Sequence, residues 1–510
     1  LLRGSGIIAF GMAIRILLAF ATEVIAARTL LPERYGLLTW GLFITNILCM
    51  LSGLGLSTAA RRFIPVYYAQ QKWGALRGVV LFSGTLSTIG GFLGSLLLFL
   101  AAGWLTSSVM GDERELPVLL VFVFMVPLWN LQKTMLAVFG GFKSPLQKVI
   151  IEDLLVPFGY LSVVLIAWWA GWKEVAIARG YVIVLFLSVL LAIVWVRSRT
   201  PYYASRTYAP DFHIKETLRF SLPLSLTDAL GKSTVGFIDV LIVGALATTH
   251  AVGVFRTASD IAVIMSLVLM NFGFMYFPIV AELAARGELL QWRELNARIA
   301  RWSTISNFPI FATLFLFPTE VIQTIYGLEY LEAAPLLRIL AVGYFFHAVV
   351  GFTGMNLVAA GMSHLQLVAN LAGLGVNVLG NWLLVPRIGI EGAAVASLLS
   401  LVVINGVCLA MMKQYLGFHP FTRSYIHSFG ILFAITIGIG LFLKTIGILS
   451  GIMLLFSFLV LTLVCIGLVS LQGCLLDATD RSLFRSALNA GLSYIETFSS
   501  RKRSTFSQDG

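Results

Sequence analysis

The chain has 510 residues, of which 58% are hydrophobic and only 12% charged, and a formal net charge of +11 at pH 7. A mean hydropathy of +0.92 excludes a soluble globule, in which charged residues alone usually approach about a quarter. The composition is that of an all-α polytopic membrane protein, and the excess of Lys and Arg calls for membrane lipid as partner and for no nucleic acid.

A crossing needs about 20 apolar residues. The apolar runs then predict 14 transmembrane helices, at 4–27, 36–60, 79–104, 117–138, 149–170, 175–196, 221–247, 251–278, 303–326, 335–360, 366–386, 391–413, 425–447 and 451–472. No connection is long enough for a soluble domain. The first run continues too far, through Arg15 and Glu23, for a cleavable signal, so it is expected to stay in the mature protein. Cys49, Cys408, Cys465 and Cys474 lie in or beside apolar runs without ligand spacing and read as packing residues.

With the amino terminus placed in the cytoplasm, 23 of the 35 Lys and Arg fall on the cytoplasmic side, six on the other and six inside spans. That bias predicts a cytoplasmic-membrane protein with both termini inside. The outer loops are short, and their one acidic cluster, GDEREL at Gly111 to Leu116, reads as a solvated loop.

The chain also repeats itself. Ala27 to Gly36 (ARTLLPERYG) and Gly244 to Gly253 (GALATTHAVG) each close one apolar run and open the next, at an offset of 217. Phe63-Ile64-Pro65-Val66 corresponds to Tyr276-Phe277-Pro278-Ile279, and Gly171, Ala176 and Ala178 match Gly389, Ala394 and Ala396 at an offset of 218. Landmarks in one order predict a duplication: an N-terminal six-helix lobe over 1–210 and a C-terminal one over 211–420. Two additional helices within 421–472 and a cytoplasmic tail, amphipathic and then disordered, over 473–510 complete the chain. An even number of spans per unit relates the lobes by an axis along the membrane normal.

Charges inside the spans are the candidate functional groups, because an ionised side chain in hydrocarbon needs a partner or a wet cavity. Asp228, Lys232 and Asp239 lie at spacings of four and eleven, within about 40° of one another on a helix. Arg15 occupies the position that matches Lys232 in the repeat, and Glu23 falls next to the position matching Asp239. Arg256 and Asp260 are four apart and able to neutralise each other, as are Asp228 and Lys232. Arg15, Glu23, Asp228, Lys232, Asp239, Arg256 and Asp260 are therefore expected to line a cavity between the lobes. Lys133, Glu152, Asp153, Arg179, Glu320 and Arg338 lie near span ends, where long side chains snorkel to water. Asn370, Asn377 and Asn381 share one face of their span. With Asp239 and Ser397 from other spans, Asn377 and Asn381 form either a candidate cation site or a set of interhelical hydrogen bonds.

Three stretches carry a family resemblance: Ala26 to Gly36 (AARTLLPERYG), Phe237-Ile238-Asp239 leading to Val252-Gly253-Val254-Phe255, and Asn377 to Ala396 (NVLGNWLLVPRIGIEGAAVA). They resemble the polysaccharide-transporter, or oligosaccharide flippase, branch of the multidrug/oligosaccharidyl-lipid/polysaccharide exporter superfamily. The resemblance implies two six-helix lobes around a central cavity and the flipping of polyprenyl-(pyro)phosphate-linked oligosaccharide for cell-surface polysaccharide biosynthesis. It implies no catalytic residue, metal or resident cofactor, with Na⁺ or H⁺ as candidate coupling ion. Expected partners are the polyprenyl-linked glycan, membrane lipids and glycan-assembly enzymes. Peptidoglycan-precursor flippases carry an adjacent Arg-Asp pair where this first span has Thr22-Glu23, which points away from a cell-wall precursor as cargo. Two other functions stay open: a cation-coupled multidrug antiporter using Asp228, Asp239 and Asp260, and a membrane glycosyltransferase or polymerase, for which the short outer loops offer little room.

Overall fold

In a computed structural model of the chain, residues 2–142, 144–200, 207–222, 237–446 and 451–471 are described, and all of their regular structure is helical. Among them, nine helices are long and apolar enough to cross a membrane, or up to 11 if each of two bent pairs is taken as one span. The expected 14 exceeds that number. Two of the expected spans share the single helix Leu2–Ser52, and the expected seventh span, 221–247, runs through residues 223–236, which lie outside the described residues. The tail over 473–510 lies outside them as well.

The helix Leu2–Ser52 divides at Leu31, whose backbone (φ 62, ψ 167) is not helical. Pro32 follows, and a proline ring crowds the helical conformation of the residue before it. The expected loop between the first two spans is thus a single strained residue joining two helical limbs. Farther on, Gly171 (φ +66) and Gly389 (φ +70) each end one helix just before another starts. Only glycine adopts such backbone at no steric cost, which explains why these two positions match across the repeat.

The lipid-facing surface inverts the pattern of a soluble protein. Phe92, Leu96, Leu97 and Leu100 stand exposed along Trp73–Trp104. Tryptophans stand out near helix ends: Trp104, Trp168 and Trp382, with Trp169 86% exposed. Such a belt marks the water interface of a bilayer.

Packing between helices relies on small residues, as it does where lipid removes the hydrophobic drive. A methyl on Gly90 would lie 2.2 Å from the Ser52 carbonyl oxygen, and one on Gly91 2.5 Å from the Pro127 Cα. The same device joins the two halves. A methyl on Gly36 would lie 1.9 Å from the Thr249 carbonyl oxygen, and one on Gly253 2.1 Å from the Pro32 carbonyl oxygen. Gly36 and Gly253 are matched positions of the repeat, and so are Pro32 and Thr249. The two contacts are therefore reciprocal, as a two-fold relation between the stretches requires.

Around this seam the main apolar core takes residues from both halves, among them Tyr35, Leu37 and Trp40 from the first and Val252, Phe255 and Ala258 from the second. The Tyr330 hydroxyl donates to the Ala27 carbonyl at 2.8 Å, Arg28 donates to the carbonyls of Thr324 and Ile325, and the Thr249 hydroxyl donates to the Asp112 carboxylate at 3.2 Å. Two further apolar clusters each take their buried residues from one half, with Phe220 of the second half packed against the first cluster. One is built on Phe63, Val79, Phe139 and Val196, the other on Tyr276, Trp292, Leu357 and Met412. Both sit at the opposite ends of their helices from the seam. The halves share a core at one end and keep separate cores at the other.

Candidate functional site

A cavity of about 440 Å³ opens within the bundle, and Arg15, Glu23, Glu152 and Arg256 supply the charges on its wall. Arg15 is placed by its helix and by a π-turn. Gly11, one turn before it, lets the helix close on the π-turn Val149–Leu155, with room for only a hydrogen beside Val149 and Asp153. The π-turn brings two consecutive acids to one guanidinium: Arg15 Nη1 lies 2.8 Å from Glu152 Oε1, and Nε lies 3.4 Å from Asp153 Oδ1. Lys148 Nζ approaches Glu152 from the other side at 3.5 Å. Glu152 and Asp153, expected to snorkel at a span end, are instead the counter-ions of Arg15. Such π-turns concentrate at functional positions.

Arg256 stands on the helix Thr249–Ala262 and is satisfied in part by its own helix, through Asp260 at 2.8 Å. The first half supplies the rest: Glu23 at 3.5 Å and the face of Phe43, whose centroid is 5.1 Å from the guanidinium. The Tyr35 hydroxyl ties the group together, with Glu23 Oε2 at 2.7 Å and Asp260 Oδ2 at 3.4 Å. Glu23, Arg256 and Asp260 are therefore one cross-half network, with Arg15 on the same cavity wall. Asp228 and Lys232, the other expected members, lie outside the described residues.

Asp239 is not part of this wall. It is fully buried in the second half and accepts hydrogen bonds from three described side chains. Asn377 and Asn381 donate to Oδ1 at 2.7 and 2.8 Å, and the Ser397 hydroxyl donates to Oδ2 at 2.7 Å. The structure thus brings all four residues of the candidate cation site together. Asn370, on the same helical face, accepts from Gln366 of its own helix at 2.9 Å and takes no part. As placed, the amides turn their nitrogens to the carboxylate. Among the described residues Asn381 Oδ1 has no hydrogen-bond partner, and Asn377 Oδ1 takes only a 3.3 Å contact from Asn381. Turning both amides over, an exchange of O for N in the same space, would set two carbonyl oxygens beside a carboxylate and a hydroxyl, a donor set that suits a hard cation.

Some of the wall went unnoticed in the sequence. Tyr160 and Tyr181 stack with ring centroids 4.3 Å apart at the cavity edge. Gln132, also on the wall, donates to the Ser188 hydroxyl at 2.6 Å. The polar stretch Asn130-Leu131-Gln132-Lys133-Thr134 inside an expected span was the available signal for the second; nothing in spacing singles out the tyrosines.

Three kinds of likeness bear on this architecture. An uncharacterized membrane protein of Methanocaldococcus jannaschii is 22% identical over 404 residues, covering 74% of this chain and 77% of that protein. A probable low-salt glycan biosynthesis flippase of Haloferax volcanii is 25% identical over 226 residues, 44% of this chain and 47% of that protein; over this second match the chain spans about half of its relative. Among solved structures, the lipid II flippase MurJ in an inward closed conformation superposes with a TM-score of 0.67 at 14% identity, covering 91% of this chain and 97% of that one. An inward-facing multidrug resistance MATE family transporter of the MOP superfamily gives 0.67 at 15% identity, over 79% and 94%. At such identities the superpositions establish the fold alone, a multi-pass helical membrane fold. Residues 1–284, more than half of the chain, match the family described as polysaccharide biosynthesis protein, and the chain belongs to that family.

Proposed function

We propose that this protein flips polyprenyl-(pyro)phosphate-linked oligosaccharide across the cytoplasmic membrane by alternating access of two lobes, 1–210 and 211–420. The observation that carries the reading is a pair of guanidiniums, Arg15 and Arg256, held on the wall of a cavity inside an apolar bundle. A lipid-linked glycan brings an anionic phosphate group and a polar head that hydrocarbon will not accept. Arginine forks match phosphate oxygens two at a time, while the lipid tail stays in the bilayer. Glu152, Asp153, Glu23 and Asp260 hold the guanidiniums while no cargo is present and compete with the phosphate for them, which lets cargo leave. The stacked tyrosines offer a flat face to a sugar ring. The names of the Haloferax relative and of the MurJ neighbour, both flippases, support this class of cargo.

The shared core at the seam and the separate cores at the other end support a conformation closed toward the outside and opening toward the basic, cytoplasmic end. Rocking of the lobes about the seam exposes the cavity to each side in turn. In this reading Asp239, Asn377, Asn381 and Ser397 bind the coupling cation, Na⁺ or H⁺, and glycan-assembly enzymes deliver the cargo.

The acid-rich wall favours one alternative, export of an organic cation in exchange for Na⁺ or H⁺. Surface-glycan display in a strain lacking the gene separates the two. Wild-type protein restores display, and Arg15→Ala and Arg256→Ala, present in the membrane at wild-type level, do not. Unchanged display in both variants, or export of a fluorescent cation without any effect on glycan, would overturn the proposal.

A further inference from the structure

Glu115 takes no part in the cavity, yet it is the most anomalous side chain of the seam end. It closes the short turn Glu113–Glu115 ahead of the helix Leu116–Phe122, inside the hexapeptide expected to be a solvated loop. Asp112 and Arg114 do reach water. Glu115 is fully buried, and neither carboxyl oxygen has a hydrogen-bond partner among the described residues.

The space it fills is built for it. Gly41, about 7.5 Å along the helix from the seam glycine Gly36, has only a hydrogen on that side. A methyl there would lie 2.6 Å from Glu115 Oε1 and 3.1 Å from the Phe122 ring. The charged groups acting on Glu115 are two more carboxylates, Asp112 of its own segment and Glu174 at the start of Glu174–Arg199. Each is already engaged by an arginine. Arg114 Nη2 lies 2.8 Å from Asp112 Oδ2 and Nη1 lies 3.1 Å from Glu33, and Arg34 Nη1 lies 3.0 Å from Glu174. An ionised carboxylate with no donor, facing two like charges out of water, is strongly disfavoured. As a neutral acid, Glu115 fits its surroundings.

We propose that Glu115 is a proton-binding site that holds the seam between the two halves closed. Loss of its proton to water leaves a buried charge that attracts the cations paired with its two acidic neighbours, Arg114 on Asp112 and Arg34 on Glu174. Drawing Arg114 inward releases Asp112 and Glu33. Asp112 is the acceptor for the Thr249 hydroxyl, and Thr249 is the residue whose carbonyl seats Gly36. Drawing Arg34 inward releases Glu174. Either movement loosens the seam, and protonation restores it. The consequence for transport rests on the alternating-access reading; the protonation itself does not.

Two measurements on the full chain in lipid nanodiscs test this. The first is difference infrared spectroscopy across a pH titration. Wild-type protein shows the carbonyl stretch of a protonated carboxylic acid free of hydrogen bonds, lost as pH rises and absent in Glu115→Gln. The second is the distance between spin labels at the exposed positions 173 and 329 in a background with its cysteines replaced. In wild type it lengthens with the same midpoint as the infrared loss, and in E115Q it stays short at every pH. Where E115Q gives no monodisperse protein, Arg114→Met carries the test, by displacing both midpoints together. No infrared band assignable to Glu115, or a wild-type pH response of the distance in E115Q, overturns the proposal. A failure of glycan display with the band intact sinks the transport reading instead.

Discussion

The reciprocal glycine contacts give the most discriminating prediction. Ordinary contact starts at 3.4 Å, and a methyl on Gly36 would lie 1.9 Å from the Thr249 carbonyl oxygen. The helices must therefore part by more than an ångström. Gly253→Ala, whose methyl would lie 2.1 Å from the Pro32 carbonyl oxygen, demands nearly the same separation. The obstacle is backbone in both cases, so no side chain can swing aside. Overpacking of this kind costs roughly 1–3 kcal/mol, and each single variant is expected to lose about that in denaturant unfolding in mixed micelles. The double variant is the sharper test. One separation at one crossing makes room for both methyls, so the second substitution should add little, a coupling of roughly 1–3 kcal/mol between neighbouring sites. Losses that add to within about 0.5 kcal/mol, the behaviour of independent sites, would refute the reciprocal seam. So would a neutral Gly36→Ala.

Four other outcomes are expected. Leu31→Gly should stabilise by about 1 kcal/mol, because a backbone region costing a non-glycine residue roughly 1–3 kcal/mol becomes free for little lost contact at a half-exposed site; a melt that falls would count against the strained junction. With Na⁺ at 100 times its Kd, wild type should gain about 2.7 kcal/mol of stability and Asp239→Asn none, whereas a wild type indifferent to Na⁺ would leave H⁺ as the coupling ion. The Arg114 hydrogen bond holds the Asp112 carboxyl below the usual carboxylate range; its contribution is full above the ordinary value of about 3.9 and disappears as pH falls through the lower folded value, so Arg114→Met should remove that part of the acid sensitivity in a pH series of melts. Glu152→Gln should bind a polyprenyl diphosphate more tightly, by about 10-fold or more for one charge-assisted competitor removed, and export glycan more slowly; weaker binding would contradict the competition between acid and phosphate.

Much of this architecture was legible in the sequence, for reasons that can be stated. Gly36 and Gly253 recur at an offset of 217, and Gly171 and Gly389 at 218, because each pair performs one geometric task twice, a close approach or a helix end at positive φ. Asn377, Asn381 and Asp239 were legible as a group because amides at a spacing of four share a face and a carboxylate in hydrocarbon must find donors. The orientation of those amides was not, since it depends on atoms that only the assembled site positions. Arg15 announced itself as a cation in need of a partner, but its partners come from a segment far along the chain. The hydropathy of residues 149–170 places Glu152 and Asp153 near water; the π-turn, a local widening that composition does not encode, turns them into the bundle. Glu115 was misread for the opposite reason. Its neighbours Asp112, Glu113 and Arg114 are what a solvated loop should contain, and only the packing of Gly41 and Phe122 removes one member of the run from water.

The two charged networks and the seam also constrain one another. Arg256 lies one turn beyond Gly253 in the same helix, and Tyr35 is the residue before Gly36. The Glu23–Tyr35–Asp260 bridge is therefore built on the two helices whose reciprocal contact closes the bundle. Parting those helices lengthens the hydroxyl bridge and takes Glu23, on the first limb, away from Arg256, 3.5 Å from it in the closed arrangement. Arg256 keeps Asp260 of its own helix but gives up the weaker of its two carboxylate partners, which leaves part of the guanidinium open to another anion. A phosphate in the cavity takes that place, and one that arrives while the seam is shut competes with Glu23 at full strength. Cargo binding and seam opening thereby favour each other through a shared arginine, and by linkage the preference runs equally in both directions.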